Sequence, residues 1–272
     1  ALPSVAGGEH FGDAAAENIL SKLENEYLKI ERESTARTNK PERDEAIIEE
    51  LKKLGRSGIE IIINILREEK RAWVRAKAVL VLGELYSQQP QEILSALLEQ
   101  MSKDESVLVR SIIARRVLPE IKKRSSQAQT QEIESRIKDA NLDPWHKKNA
   151  LQVLDVGCQF GEASHGMAKY YRDRGFVDVI VVGVDRSAVV LIEAEKNRTN
   201  PDVVFVFGDV DTDTLGLADI VISMNLLIYR GIELDRHAAS LIRQVRTDGG
   251  IIYFSPSAWN TSYDSSGEDG IM

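Results

Sequence analysis

Residues 153–162, Val-Leu-Asp-Val-Gly-Cys-Gln-Phe-Gly-Glu, set an acid and two glycines where an apolar run gives way to a helix-compatible segment. A sharp strand-to-helix turn containing glycines lets backbone approach a ligand at the carboxyl edge of a sheet. Two phosphate-cradling patterns fail at this turn. A Gly-x-Gly-x-x-Gly loop starting at Gly157 would need glycines at 159 and 162, where the chain has Gln159 and Glu162. No Gly-Lys-Ser/Thr follows, so the Walker loop fails as well. A second acid, Asp185, closes the run Val182-Gly-Val-Asp and is followed by Arg186. A carboxylate at a strand tip suits a ribose with two hydroxyls, because it can accept both hydrogen bonds. A third acid, Asp209, sits in Phe207-Gly-Asp-Val210 after another apolar run.

These residues need a sheet to hold them. Apolar, β-branched runs occur at 151–156, 177–184, 203–207, 220–223 and 251–254, with helix-compatible stretches at 163–174, 187–197 and 234–245. Strands buried on both faces read as continuous apolar runs, and their alternation with helices predicts a parallel, doubly wound sheet. Pro144 and Trp145 are expected to mark the joint with the segment before it.

The order of these elements resembles the class I S-adenosylmethionine-dependent methyltransferases. Their first motif is an acid followed by Gly-x-Gly-x-Gly; here Asp155, Gly157 and Gly161 match, and Gln159 replaces the middle glycine. The resemblance implies S-adenosyl-L-methionine as cofactor, with Cys158 and Gln159 lining the loop. It gives the ribose to Asp185 with Arg186 beside it, and the adenine amino group to Asp209 with the adjoining backbone at Val210. It places Asn225, after the fourth strand, near the cofactor's methionine portion or the acceptor. Asp248-Gly-Gly-Ile-Ile-Tyr-Phe254 looks like the family's Gly-Gly turn and fifth strand. A narrower likeness, Gly157-Cys-Gln-Phe-Gly-Glu162 with Asn225-Leu-Leu-Ile-Tyr229, is to the glutamate methyltransferases of chemotaxis receptors, although Met224 stands where that family usually has arginine.

Methyl transfer from a sulfonium is an in-line displacement on an already activated carbon, so alignment and exclusion of water dominate. No convincing general base stands out: His165 and His237 fall on predicted helices and read as packing or surface residues. The Asn-Pro-Pro-Tyr pattern of amide and adenine-amino methylation is replaced by Ser223-Met-Asn-Leu226. Cys158 has no neighbouring base or cation to make it a nucleophile, and no cluster has metal-ligand spacing, so no metal is expected.

The first half has another texture. Ile59, Ile62, Ile63 and Leu66 recur at helical spacing, as do Val79, Leu80, Leu82 and Leu85. Trp73-Val-Arg-Ala and Val107-Leu-Val-Arg open two similar segments, and their arginines, Arg75 and Arg110, are 35 residues apart. A helix, a polar turn and a Val-Arg-opened second helix resemble HEAT-like α-solenoid repeats, with a weaker third unit at 19–54 and an ordinary helical bundle as the alternative. Such a domain supplies a surface for a protein partner or substrate. Residues 110–124, read as one helix, carry six basic residues and one acid; a solvated face is the simpler reading, a patch for an acidic partner or RNA the other.

The net charge of −8 divides unevenly: residues 14–141 sum to +1 and residues 142–272 to −7. A nucleic-acid surface on the second half would oppose its own field, so nucleic acid is not favoured. No apolar run approaches the roughly 20 residues that cross a bilayer, and a lone cysteine fits a reducing, cytoplasmic setting. The expectation is therefore a disordered leader at 1–13, an all-α HEAT-like domain at 14–141 and a Rossmann-like methyltransferase domain at 142–272. Only 17 residues follow Ser255, so the last strands of that fold are expected to be missing. A fragment, a shortened sheet, or a noncatalytic scaffold with a degenerate cofactor fold all fit this brevity. A carboxylate O-methyltransferase is a further alternative.

Overall fold

The computed structural model describes residues 49, 51–145, 149–224, 234–248 and 250–255. The expected leader and tail, and nearly all of the weaker third repeat, lie outside them. The chain divides into two units, residues 1–142 with 188–197, and residues 143–187 with 198–272.

The described part of the first unit is helical. Helix α1 (Arg56–Glu68) buries Ile59, Ile62, Ile63 and Leu66, the stripe its spacing predicts. Helix α2 (Ala72–Leu85) departs from expectation, being buried nearly all round instead of along one face. Leu80, expected in the buried stripe, is only partly covered. The surrounding elements explain this: α1, α4 (Val107–Ile112) and α8 (Ala188–Lys196) all pack against α2.

Helix α3 (Pro90–Lys103) ends at Asp104, whose carboxylate meets the Arg75 guanidinium in a two-pronged pair, both N–O distances 2.8 Å. The remaining Arg75 nitrogen donates to the carbonyls of Glu69 and Lys70, at 2.8 and 2.9 Å, just past the end of α1. Arg110 repeats the arrangement, donating to the Asp104 carbonyl six residues back and to the Asn141 carbonyl at 2.8 Å. The two Val-Arg pairs thus close the turns that precede their own helices.

The stretch 110–124 is not the single helix expected from its pattern. It runs as α4, a π-helical turn (Ile113–Val117) and α5 (Leu118–Lys122). Pro119 has no amide hydrogen for the Arg115 carbonyl and its ring crowds that turn, so the backbone widens immediately before it. Several of its cations are spent locally: Lys122 pairs with Glu134 and Lys123 with Glu120, both at 2.8 Å. Helix α6 (Gln127–Asp139) then starts from a capping box between Ser126 and Gln129.

The second unit is built on five parallel strands: β1 (Leu151–Val156), β2 (Val179–Asp185), β3 (Val203–Phe207), β4 (Ile220–Met224) and β5 (Ile251–Ser255). Their order is β3-β2-β1-β4-β5. Strand β1 is buried from Gln152 to Val156 and β2 from Val179 to Val184, as continuous apolar runs require. Helices α7 (Glu162–Asp173) and α9 (Leu234–Ile242) follow β1 and β4. Trp145 lies buried in this unit and donates its indole N–H to the Leu215 carbonyl at 3.0 Å. Its ring covers Gly216, where a Cβ would come within 2.6 Å of it. Among the described residues no helix is long and apolar enough to cross a membrane.

The Arg75–Asp104 pair is buried on both sides, with side-chain exposures of 6% and 1%. Removing one partner strands the other charge, so Arg75→Ala is expected to destabilise the helical unit by about 3–5 kcal/mol. Urea unfolding followed by helical circular dichroism measures this, and a loss below about 1 kcal/mol would make the pair incidental.

Candidate functional site

A parallel sheet whose strand order reverses leaves a crevice outside the carboxyl ends of the strands on either side of the reversal. Here the chain winds outward from β1 to β2 and β3, then returns to pair β4 on the other side of β1, so the switch point lies between β1 and β4. The turn after β1 opens into that crevice.

Its backbone is left-handed at three places: Gly157 (φ 75°), Gln159 (φ 50°) and Gly161 (φ 81°). Gln159 therefore adopts the conformation that a glycine there would reach without strain. The turn is docked on the end of β2, with the amides of Gly157 and Cys158 both donating to the Val184 carbonyl, at 2.7 and 3.1 Å. Gly161 stands at the N-cap of α7 without a side chain to cap it, so the first amides of the helix face the turn.

Two acids meet at this turn. Asp155 is 5% exposed and accepts a 2.6 Å hydrogen bond from the Ser164 hydroxyl. Burial pushes its carboxyl up to about 6, the Ser164 hydroxyl pulls it back in part, and the Asp185 charge adds to the rise. Asp185 accepts from the Gln159 amide at 3.2 Å through one oxygen and from the Ser187 amide at 2.8 Å through the other. Each oxygen keeps a second lone pair for a ligand hydroxyl. Burial, and then the charges of Asp155 and Asp185, push the Cys158 thiol well up, so it stays neutral.

Gly183, inside β2, makes room for this arrangement. A Cβ there would lie 2.9 Å from Cys158 Sγ, from Ser164 Oγ and from the Phe205 ring. One strand over, Arg186 pairs with Asp209 at 3.3 Å. Asp209 also folds its own loop, accepting from the Asp211 amide at 3.0 Å while its amide donates to Asp213 at 2.8 Å. Val210 is buried beside it.

Of the ten residues singled out from sequence, Asp155, Gly157, Cys158, Gln159, Gly161 and Asp185 form one turn and its two supporting acids. Arg186, Asp209 and Val210 occupy the tips of the next two strands. Asn225, with the Asn225–Tyr229 segment, lies outside the described residues. Sequence reading missed Ser164 and Gly183, since a serine in the first turn of a helix and a glycine in an apolar strand carry no mark of what they face. His165 packs its ring edge-on to Phe205, with centroids 6.2 Å apart. Burial and Arg198 hold it below the ordinary histidine range. Among the described residues no group of three His, Cys, Asp or Glu side chains can hold a metal ion.

No family model and no curated protein matches the chain. Solved structures do, over its C-terminal half. An S-adenosylmethionine-dependent methyltransferase from Mesorhizobium loti is 23% identical at a TM-score of 0.30, with 37% of this chain matched to 44% of that one. Phosphoethanolamine N-methyltransferase 2 of Haemonchus contortus, in complex with S-adenosyl-L-methionine, is 19% identical at 0.31, with coverages of 39% and 24%. A TehB-like SAM-dependent methyltransferase from Corynebacterium glutamicum is 18% identical at 0.29, with coverages of 47% and 73%. The chain spans less than half the length of the first two.

Asp155 gives the site a pH signature. A carboxyl raised from 3.8 to about 6 adds stability in its protonated form, fully present below about pH 4 and lost as pH rises through 6, about 3 kcal/mol in all. Asp155→Asn is expected to gain most over the parent protein at pH 7 and nothing near pH 4; parallel stability profiles in urea would contradict the raised value. Gln159→Gly relieves about 1–2 kcal/mol of left-handed strain against about 0.4–1 kcal/mol of extra unfolded-state freedom. A gain of up to about 1.5 kcal/mol in the same unfolding assay is expected.

Proposed function

We propose that residues 142–272 form a class I methyltransferase domain that binds S-adenosyl-L-methionine and transfers its methyl group. The observation that carries this reading is the placement of three acids at the carboxyl ends of neighbouring strands, Asp155 on β1, Asp185 on β2 and Asp209 two residues past β3, beside the switch point and a glycine turn.

The residues fit that cofactor. Gly157 and Gly161 hold the turn open, so backbone reaches the ligand where side chains would block it. Asp185 takes the ribose diol with the lone pairs its two amide donors leave, and Arg186 fixes the neighbouring Asp209. Asp209 and the backbone at Val210 receive the adenine edge. Cys158, neutral and turned against Gly183, shapes the floor without reacting. Asp155, raised to about 6, is largely ionised at neutral pH, and a bound sulfonium or ammonium favours that carboxylate. When bound, the cofactor supplies a methyl carbon already activated by positive charge; the chain's part is to orient it and keep water away. Asn225 is assigned, from sequence alone, to the cofactor's methionine portion or the acceptor.

The helical domain, residues 14–141, recruits a protein partner or substrate. The equivalent hydrogen bonds of Arg75 and Arg110, each reaching carbonyls five or six residues back, support reading it as stacked HEAT-like units.

Titration calorimetry with S-adenosylmethionine and S-adenosylhomocysteine tests the proposal. Asp185→Ala removes a charged acceptor for two hydroxyls and is expected to weaken binding roughly tenfold to a hundredfold. A chain that binds neither ligand refutes the assignment. Radiolabelled methyl transfer onto cell extract, fractionated into protein, RNA and small molecules, identifies the acceptor class.

A further inference from the structure

Outside the turn after β1, a buried polar cluster among the described residues of this unit joins three separate elements. Ser223 on β4 is fully buried and lies 3.0 Å from His237 Nε2. His237, on α9, is 1% exposed, and its Nδ1 lies 3.2 Å from Asp211 Oδ1. The carboxylate can only accept, so Nδ1 carries the proton and donates to Asp211, while Nε2 and the Ser223 hydroxyl share the other hydrogen bond. This is the order of a serine nucleophile, its base and its orienting acid. A serine with no exposed surface cannot attack a substrate, so nucleophilic catalysis is the wrong use for it.

Location supplies the right one. Ser223 is in register with Val156, the last residue of β1 before the glycine turn. Asp211 is two residues past Asp209, in the loop that leaves β3 and returns to β4. The same loop is held from α9 and the residues after it. Arg243 donates to the Asp211 carbonyl at 3.2 Å, and Gln244 bonds the Asp213 carbonyl at 2.9 Å and the Leu215 amide at 3.0 Å. Of these ties only the His237 bridge uses the Asp211 side chain, and only it reaches the carboxyl end of β4.

We propose that His237 is a positioning residue, pinning the 208–213 loop to β4 through Asp211 and Ser223 so that Asp209 and Val210 present a fixed edge to an adenine ring. The inference rests on the cofactor reading for the ligand, but the pinning itself does not. Leaving Ser223 or Asp211 without the imidazole frees the loop at the point nearest Asp209, whereas the glycine turn and Asp185, held by β2, keep their places. Recognition of the ribose and recognition of the base are therefore separable.

The test pairs a ligand-free measurement with a ligand-dependent one. Hydrogen exchange on the unliganded chain compares the parent with His237→Phe, which keeps the bulk and loses both hydrogen bonds. Ser223→Ala is the milder variant should His237→Phe fold poorly. Exchange of the amides at 209–215 is expected to quicken at least tenfold, with those of β1 and β2 unchanged. Calorimetry then compares S-adenosylhomocysteine with its hypoxanthine analogue, which lacks the exocyclic amino group. The parent is expected to prefer the adenine form, His237→Phe to lose that preference, and His237→Asn, whose amide can still donate to Asp211, to recover most of it. Unchanged exchange in both His237→Phe and Ser223→Ala overturns the pinning. Quickened exchange with intact adenine preference overturns its link to recognition. A parent chain that binds neither ligand overturns the cofactor reading and leaves the exchange result to decide the pinning alone.

Discussion

The chain must leave β1 and enter α7 within five residues without losing contact with the sheet. It does so by placing three of those residues in left-handed backbone and hanging the turn from the Val184 carbonyl. Much of the site depends on that docking. It brings the Gln159 amide to Asp185 and turns the Cys158 thiol toward the hollow that Gly183 leaves in β2. It also starts α7 early enough for Ser164 to reach back to Asp155. A side chain at 183 would push against the thiol, the hydroxyl and an aromatic ring together, so the strand's glycine is as necessary to the turn as the turn's own.

Charge sets a second constraint. The half of the chain holding the turn carries a net −7, and two of its carboxylates face the same few ångströms of backbone. Burial raises the Asp155 carboxyl to about 6, so it is largely ionised at neutral pH and protonates as the solution turns mildly acidic. An anionic pyrophosphate would have to approach this field without a lysine or a Gly-x-Gly-x-x-Gly cradle. The charge of this half and the failed glycine spacing thus weigh against the same ligands for independent reasons.

Sequence disclosed most where one pattern has one physical cause. Strands buried on both faces read as continuous apolar runs, and all five stand close to where those runs lie. The stripe of α1 is equally plain, since a one-sided helix repeats its apolar residues every third or fourth position. Legibility ended where burial depends on partners from elsewhere in the chain. Helix α2 is covered on nearly every side because three other helices pack on it, which its own residues do not announce. Residues 110–124 show no break in composition at the π turn, because the backbone stays helical on both sides of it. At the site, Gln159 looked like a departure from glycine, yet its backbone takes the glycine-like conformation. Ser223, His237 and Asp211 come from a strand, a helix and a loop, and no spacing within a single element could have joined them.

Both units solve one problem by similar means. Loops between packed elements bury carbonyls and amides that no regular ladder satisfies, and an unmet buried group costs about 1–3 kcal/mol. In the helical unit Arg75 and Arg110 reach back to the carbonyls of the preceding turn; in the sheet unit Arg243 and Gln244 bond carbonyls of the loop between β3 and β4, and His237 holds that loop by the Asp211 carboxylate. Polar ties of this kind add little net stability over an apolar core, but they tolerate few alternative geometries, because displacing one partner strands the other. A loop held this way behaves as part of the sheet. That is the condition for a crossover segment to keep a fixed place, and it is why His237, Arg243 and Gln244 bear on the loop after β3 although none of them belongs to the glycine turn.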